Sequence, residues 1–194
     1  MYVPFPTYNK PYRALIRPVW DNVYGFDYTA MKEVALAEPI VDVVEAKAVV
    51  TNNCPVLTID LYTVQPADLS FSQPFELYAQ RSDFVHALIA WFDIEFGACH
   101  KPIRFSTSPH ARYTHWKQTV FYLHDVLTIE ENEVITGYLT TKPNDKNKRD
   151  LDINISYSFA QEELARVSEG EADYKMYGTF SKFSRIQGSL PHLF

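Results

Sequence analysis

From Val56 onward, apolar and polar side chains alternate with a period of two, and this alternation constrains the fold more than any other feature of the sequence. The period is typical of half-buried β-strands, because successive side chains of a strand point to opposite faces of a sheet. We expect strands at residues 56–62, 75–79, 84–96, 117–123, 134–141 and 150–159. Turn-rich segments separate them, so the pattern predicts a mainly β fold, an antiparallel β-barrel that is closed or nearly closed.

Two parts of this pattern make more specific predictions. Segment 84–96 is expected to be one strand that places five residues on one face: His86, Leu88, Ala90, Phe92 and Ile94. After Phe159 the alternation stops. The glutamate-rich residues 161–172 are therefore expected to form a solvated turn or helix, followed by a short edge strand at 174–176.

The composition agrees with one β-rich domain that carries appendages. Of the 194 residues, 46% are hydrophobic, which is enough to build a substantial core. Thirteen Tyr and thirteen Phe favour pleated surfaces, whereas six Gly are few for a nucleotide-binding fold. Early prolines predict an extended lead-in at residues 1–19, and Thr29 can cap a short helix within an aromatic-rich segment at 20–40. The barrel then occupies residues 41–176, and residues 177–194 are expected to be an irregular tail.

Charge and cysteine content narrow the possible ligands. A formal net charge of −6 argues against direct nucleic-acid binding, which needs clustered Lys and Arg, and it favours basic peptides instead. Cys54 and Cys99 lack neighbours that would complete a zinc site, so we expect two free buried thiols and no metal. The sequence contains no secretory leader and no apolar run of membrane-spanning length, which predicts a soluble intracellular protein without a membrane contact.

The run from Tyr113 to Gln118 is the strongest candidate for chemistry, because it places an imidazole and an indole in a loop that opens onto a strand. His115 can relay a proton near neutral pH, and the ring face of Trp116 can bind a cationic side chain. The alternative is structural: His115 is satisfied by a nearby carboxylate, and Trp116 closes the end of the barrel.

Other ionisable residues fit structural roles better. His86 lies on the apolar face of a predicted strand and is expected to be a core histidine. Asp93 and Glu95 point to the same side of that strand, either as an acid–base pair or, more simply, as part of a polar outer face.

Residues 20–28 carry large apolar groups that lie outside the barrel pattern. The sequence leaves two interpretations open: an interface, or packing back onto the barrel. The groups concerned are Trp20, Val23, Tyr24, Phe26 and Tyr28.

Five motifs in series, at residues 20–27, 38–42, 105–109, 113–119 and 147–152, resemble the C-terminal half of type I protein arginine methyltransferases. The resemblance implies a β-barrel substrate domain with an inserted dimerisation arm at residues 20–40, which closes a head-to-tail dimer. It also implies that Thr114, His115 and Trp116 face the substrate arginine, with His115 bonded to an acidic residue of the N-terminal half. That half is a Rossmann-like domain that binds S-adenosylmethionine.

The resemblance also implies what is missing. The glycine-rich turn that holds the cofactor and the paired glutamates that hold the guanidinium do not occur in this sequence. We therefore expect a chain that binds no cofactor and is inactive alone, as a truncated gene model or a splice form would be. Its parent would methylate basic or Arg-Gly-rich proteins of the cytoplasm and nucleus. The alternatives are a non-catalytic module that heterodimerises with a full-length methyltransferase, and an acidic barrel that binds basic peptides without any link to methylation.

Overall fold

Antiparallel strands are the main secondary structure in a computed structural model, which describes residues 2–4, 6–8, 24–27, 36–161 and 166–177. The strands are β1 (Tyr2–Pro4), β2 (Thr7–Tyr8), β3 (Ile40–Asp42), β4 (Pro55–Thr58), β5 (Phe71–Tyr78), β6 (Asp83–Ala90), β7 (Asp93–Phe96), β8 (Ile103–Ser106), β9 (Gln118–Ile129), β10 (Val134–Pro143), β11 (Leu151–Gln161) and β12 (Arg166–Met176). Two short 3₁₀ helices span Ala46–Ala48 and Pro66–Leu69.

These strands form three four-stranded sheets with the orders β4-β1-β7-β8, β12-β11-β10-β5 and β2-β6-β9-β3. The mainly β, antiparallel fold class is thereby confirmed. Among the described residues the hydrogen-bonded ladders form three separate sheets rather than one continuous ring. The arrangement is barrel-like, and side-chain packing joins the sheets.

The main core lies between the β12-β11-β10-β5 sheet and strands β6 and β9. Leu77 and Ile155 contribute from the first sheet, and Leu88 and Leu123 from the second, each at most 2% exposed. Burial of side chains such as these stabilises the fold, because each fully buried aliphatic group contributes roughly 1.5–3 kcal/mol.

A second apolar cluster covers the opposite face of β6 and β9. Ile89 and Trp91 pack there with Val120, and Leu36 and Val44 cover them from outside the two strands. Residues 85–89 of β6 and 120–123 of β9 are therefore buried on both faces, whereas residues 124–126 of β9 are exposed.

The expectation of a single strand over residues 84–96 is wrong. Strand β6 ends at Ala90 and pairs with β9, whereas β7 begins at Asp93 and belongs to a different sheet. Leu88 and Ala90 do contact the main core as predicted, but Phe92 lies at the corner between the strands. There its backbone bonds to Thr107 instead of a neighbouring strand: the N–H donates to Thr107 Oγ1 at 3.0 Å, and the carbonyl accepts from Thr107 N at 3.0 Å.

The expectation of a turn or helix over residues 161–172 is also wrong. Strand β12 runs from Arg166 to Met176 and pairs with β11 along its whole length. Glu169, Glu171 and Asp173 lie on the outer side of this edge strand. The positions between them carry Gly170 and Ala172, which are too small to give an obvious apolar alternation.

Several expectations concern residues beyond the described ranges. The Thr29 cap and most of the helical segment at 20–40 lie outside them, as do most of the lead-in and the tail from residue 178 onward. In the part of the chain that the structure describes, no helix is long and apolar enough to cross a lipid bilayer.

Candidate functional site

His115 and Trp116 occupy the tip of a tight turn that leads directly into β9. The turn is closed by a hydrogen bond from the Lys117 N–H to the Thr114 carbonyl at 3.2 Å. Lys117 adopts a left-handed backbone conformation with φ 55°, which redirects the chain into the strand. Both tip side chains are exposed. The turn thus presents the imidazole and the indole to solvent on a short, hydrogen-bonded loop.

Three aromatic rings hold the indole of Trp116 in place. It stacks on Phe105 with ring centroids 5.8 Å apart and meets the ring of Phe92 edge-on at 5.7 Å. The imidazole of His115 lies at 4.0 Å from the indole. Such pairs contribute about 0.5–1.5 kcal/mol each beyond the area that they bury. Trp116 nevertheless remains 48% exposed, so it is not buried as the plug of a barrel would be.

The base of the turn is fixed by a buried amide that the sequence analysis did not single out. Gln118, only 7% exposed, accepts a hydrogen bond from the Val44 N–H and donates one to the Thr107 carbonyl, both at 2.7 Å. Lys117, next to it, forms an ion pair with Asp42 at 3.5 Å. The sequence indicates this role of Gln118 only by placing a polar residue at the start of an apolar strand. Its hydrogen-bonding partners lie too far away along the chain to be predicted.

Two polar groups at the turn have no hydrogen-bonding partner among the residues that the structure describes. Neither a hydrogen bond nor an ion pair connects His115 to a carboxylate there, so the structural alternative for this histidine finds no support in these ranges. The hydroxyl of Thr114 is buried and likewise has no partner within them. Among the described residues, the turn therefore presents an exposed imidazole beside an exposed indole, with the Thr114 hydroxyl buried beneath them.

The aromatic segment at 20–28 is described only in part. Tyr24 is 98% exposed and Phe26 is 68% exposed, so both side chains project from the surface rather than packing back onto the core. A turn with left-handed backbone at Tyr24 (φ 52°) and Gly25 (φ 91°) sets them apart. The other three predicted arm residues, Trp20, Val23 and Tyr28, lie outside the described ranges.

The remaining ionisable candidates do not join this site. His86 is 9% exposed, in agreement with a core histidine. Glu95 forms an ion pair with Arg104 on the neighbouring strand at 2.7 Å, which fits a polar outer face of β7 better than an acid–base pair.

The expectation that both cysteines are free is confirmed, and the expectation that both are buried is wrong. Both thiols are free, but Cys54 is only partly buried and Cys99 is exposed, because it lies in the turn after β7 rather than in the core. Among the described residues, no cluster of three or more His, Cys, Asp and Glu side chains is arranged to hold a metal ion.

A groove of about 860 Å³ lies on the β12-β11-β10-β5 sheet and is rimmed by acidic residues, among them Glu76, Glu169 and Glu171. Glu76 accepts a hydrogen bond from the Tyr78 hydroxyl at 2.9 Å, and this bond raises the pKa of Tyr78. Asn154 donates to Glu171 and to Asp173, both at 2.9 Å. The rim of this groove is therefore negative. The groove lies on a different sheet from Phe105, which belongs to the β4-β1-β7-β8 sheet.

Comparison with known proteins identifies the class to which this fold and this turn belong. The family model described as the arginine methyltransferase oligomerization subdomain matches residues 6–162. Protein arginine N-methyltransferase 1 of Schizosaccharomyces pombe is 57% identical over 159 residues, which cover 81% of this chain and 46% of the relative. Protein arginine N-methyltransferase 8-B of Danio rerio is 52% identical over 158 residues, covering 81% of this chain and 37% of the relative. The chain thus spans less than half of the length of these relatives.

Solved structures of arginine methyltransferases have the same fold as this chain. The Trypanosoma brucei PRMT1 enzyme–prozyme heterotetrameric complex with AdoHcy superposes with a TM-score of 0.85 at 35% identity, covering 91% of this chain and 56% of the other. Arabidopsis thaliana protein arginine methyltransferase 10 superposes with a TM-score of 0.74 at 12% identity, covering 91% and 59%, which supports the fold alone. The chain therefore belongs to the protein arginine methyltransferases and corresponds to the C-terminal half of the type I enzymes.

Proposed function

We propose that this chain supplies the substrate-facing turn and the dimerisation arm of an S-adenosylmethionine-dependent protein arginine methyltransferase, and that it is inactive without the cofactor-binding half. The observation that carries the proposal is the exposed His115–Trp116 turn, which is backed by Phe92 and Phe105 and has no carboxylate partner of its own within the described residues. A site of this kind is complete only when another domain covers it.

The fold supports the proposal that the methyl donor binds to the other half of the parent enzyme. Cofactors of this class bind where a strand runs through a glycine-rich turn into the N-terminus of a helix. The described part of the chain contains antiparallel strands and two 3₁₀ helices of three and four residues, and no such unit. Its residues do not fit S-adenosylmethionine, and we assign the methyl donor to the other half of the parent enzyme.

The residues of the turn suit an arginine side chain. A guanidinium is always protonated in water, presents five N–H donors and stacks on aromatic faces. The exposed part of the Trp116 indole would receive the planar cation, and His115 would accept a hydrogen bond or pass on the proton that a methylated nitrogen releases. The paired carboxylates that the resemblance implies would come from the other half.

Basic or Arg-Gly-rich proteins are the substrate class that the charge of the molecule favours. The net charge of −6 and the acidic rim of the groove attract cationic peptides over a distance of about 10 Å at ordinary ionic strength. Direct binding of nucleic acid is disfavoured by the same charges.

Reconstitution tests the proposal. The purified chain should restore methylation of an Arg-Gly-rich peptide when it is mixed with a separately expressed cofactor half, and each half alone should be inactive. Replacing His115 with Ala should lower the restored rate by about 10²-fold or more, the typical contribution of a positioned acid–base group. The matched control is His124→Ala, which removes an exposed histidine from β9. Equal rates for the two variants would remove His115 from the site.

A second function is a non-catalytic module that heterodimerises with a full-length methyltransferase. Two observations favour it: the exposure of Tyr24 and Phe26, and the enzyme–prozyme assembly named for the Trypanosoma brucei complex. Co-purification with a full-length enzyme should be lost in Tyr24→Ala/Phe26→Ala. It should persist in Leu61→Ala/Tyr62→Ala, which removes 70% and 90% exposed apolar groups elsewhere. Equal loss in both variants, or in neither, would contradict an interface at the arm.

A further inference from the structure

Gln118 joins three parts of the chain that are far apart in sequence. Its side-chain oxygen accepts from the Val44 N–H, 74 positions away, and its side-chain nitrogen donates to the Thr107 carbonyl, 11 positions away. Both distances are 2.7 Å, and the residue is only 7% exposed. A buried amide that is bonded at both ends has little freedom to move, because breaking either bond leaves a buried backbone group without that partner.

Thr107, the acceptor for Gln118, is in turn bonded to the backbone of Phe92, one of the two residues whose rings flank Trp116. It is 1% exposed, and three hydrogen bonds of 3.0 Å tie its backbone and hydroxyl to the backbone of Phe92. Phe105 lies two residues before it. Trp116 lies two residues before Gln118 and contacts both Phe92 and Phe105. These contacts form a closed circuit in which the amide fixes the walls against which the indole packs.

The other bond of Gln118 reaches the segment that follows the predicted arm. Val44 packs in the apolar cluster with Leu36 and Trp91, and Asp42, two residues earlier, pairs with Lys117 at 3.5 Å. The turn that carries His115 and Trp116 is therefore held next to residues 42–44 by this buried hydrogen bond and by a partly exposed ion pair, in addition to the backbone pairing of β3 with β9 that includes Asp42 and Gln118.

We propose that Gln118 is a positioning residue that sets the orientation of the Trp116 indole, and through it the His115 imidazole, by locking the turn to Thr107 on one side and to Val44 on the other. Its effect on turnover rests on the proposed function, whereas its effect on the indole does not. It touches no substrate itself; it acts through the turn.

The first test measures the indole directly in the full chain. The three tryptophans are labelled with 5-fluorotryptophan, and the Trp116 signal in the ¹⁹F NMR spectrum is assigned with Trp116→Phe. Gln118→Met keeps the length of the side chain and removes both hydrogen bonds. We expect the Trp116 signal to shift or broaden while the signal of buried Trp91 stays in place. Gln73→Met, at an exposed site on β5, should change neither signal. An unchanged Trp116 signal in Gln118→Met would overturn the proposal.

Gln118→Glu provides a pH-dependent rescue that a merely space-filling role would not give. At pH 8 its carboxylate accepts from Val44 but cannot donate to Thr107, so the Trp116 signal should differ from wild type. At a lower pH, at which the carboxyl is protonated, it can donate and accept like the amide, and the signal should return. The wild-type protein measured over the same pH range is the control. A difference that persists unchanged at both pH values would count against the proposal, and this test also serves if Gln118→Met fails to fold.

Turnover in the reconstituted enzyme separates the two proposals. Gln118→Met should lower kcat by about tenfold or more with a smaller change in KM, because displacement of a positioned group by 1 Å is enough for such a loss. A disturbed Trp116 signal with unchanged kcat would overturn the link to turnover. Failure of the wild-type chain to restore methylation would instead overturn the proposed function, and the ¹⁹F result would remain valid on its own.

Discussion

At the scale of single residues, two glycines show how closely the β12-β11-β10-β5 sheet is packed. Gly137 pairs with Phe75 and Tyr157, and Gly170 pairs with Tyr157 on the other side. The aromatic rings fill the space above the glycines. A Cβ atom at Gly137 would lie 2.1 Å from the Ser156 carbonyl oxygen, and one at Gly170 would lie 2.3 Å from Cζ of Tyr157. The sheet therefore has no room for a side chain at position 137 or position 170.

Replacing Gly137 with Ala should destabilise the protein. The backbone of β11 cannot yield as a flexible side chain does, so we expect the free energy of unfolding to fall by about 1–3 kcal/mol, the usual cost of overpacking a core. Urea unfolding followed by circular dichroism measures this. Gly97→Ala is the control, because its nearest neighbour would be Glu95 Oε1 at 3.5 Å, an ordinary contact. A loss as large at residue 97 would contradict the argument from packing.

At the scale of elements, one tyrosine connects edge strand β12 to strand β9 of another sheet. Tyr174 is 3% exposed, and its hydroxyl donates to the Tyr122 carbonyl at 2.7 Å. Its ring meets Phe121 edge-on at 5.2 Å. A further backbone bond, from the Lys175 N–H to the Ala37 carbonyl at 3.1 Å, fixes the same end of β12. These contacts join β12 to β9 at this point of the barrel-like arrangement.

Tyr174→Phe tests the hydroxyl alone, since the ring and its aromatic contact remain. Loss of a buried hydrogen bond lowers stability by about 1 kcal/mol, and we expect hydrogen exchange of the β12 amides to quicken correspondingly. Tyr138→Phe removes the hydroxyl of a tyrosine that is 55% exposed and should leave both quantities unchanged. Identical behaviour of the two variants would show that the bond contributes nothing to closure.

Strands that are buried on one face follow the sequence pattern well, as at 75–79, 134–141 and 150–159. The alternation of apolar and polar residues predicts the wrong structure where long-range hydrogen bonds or strand pairing determine the backbone conformation. The corner at Phe92 is formed by hydrogen bonds to Thr107, which follows β8. Strand β12 is extended because it pairs with β11 along its whole length. The same distinction holds for the candidate site. Residue type alone was enough to select His115 and Trp116 as candidates for chemistry. The role of Gln118 depends on Val44, 74 residues away.

At the scale of the whole molecule, the acidic groove and the turn that carries Trp116 lie in different regions of the described structure. Acidic side chains rim the groove on one sheet, whereas the exposed aromatic groups Tyr113 and Trp116 lie at the turn before β9. Electrostatic attraction acts over a longer distance than ring contact does. A cationic peptide would therefore be drawn to the molecule as a whole before any one of its arginines reached the turn.

Binding of an Arg-Gly-rich peptide should accordingly weaken with salt. Raising NaCl from 50 to 300 mM should increase Kd by about threefold or more, because exposed charges are screened over shorter distances. Fluorescence anisotropy of a labelled peptide gives the measurement, and a peptide with citrulline in place of arginine is the control. A Kd that does not depend on salt would show that the negative surface has no part in binding.

The exposed thiol of Cys99 has a practical consequence for every measurement of association. An accessible cysteine oxidises in air, and two copies of the chain could then become covalently linked through a disulfide. Such a product would have the mass of a dimer without involving Tyr24 or Phe26. Light scattering in the presence of a reductant, or with Cys99→Ser, separates the two cases. A dimer that disappears with dithiothreitol is an oxidation product, and one that survives has a non-covalent interface.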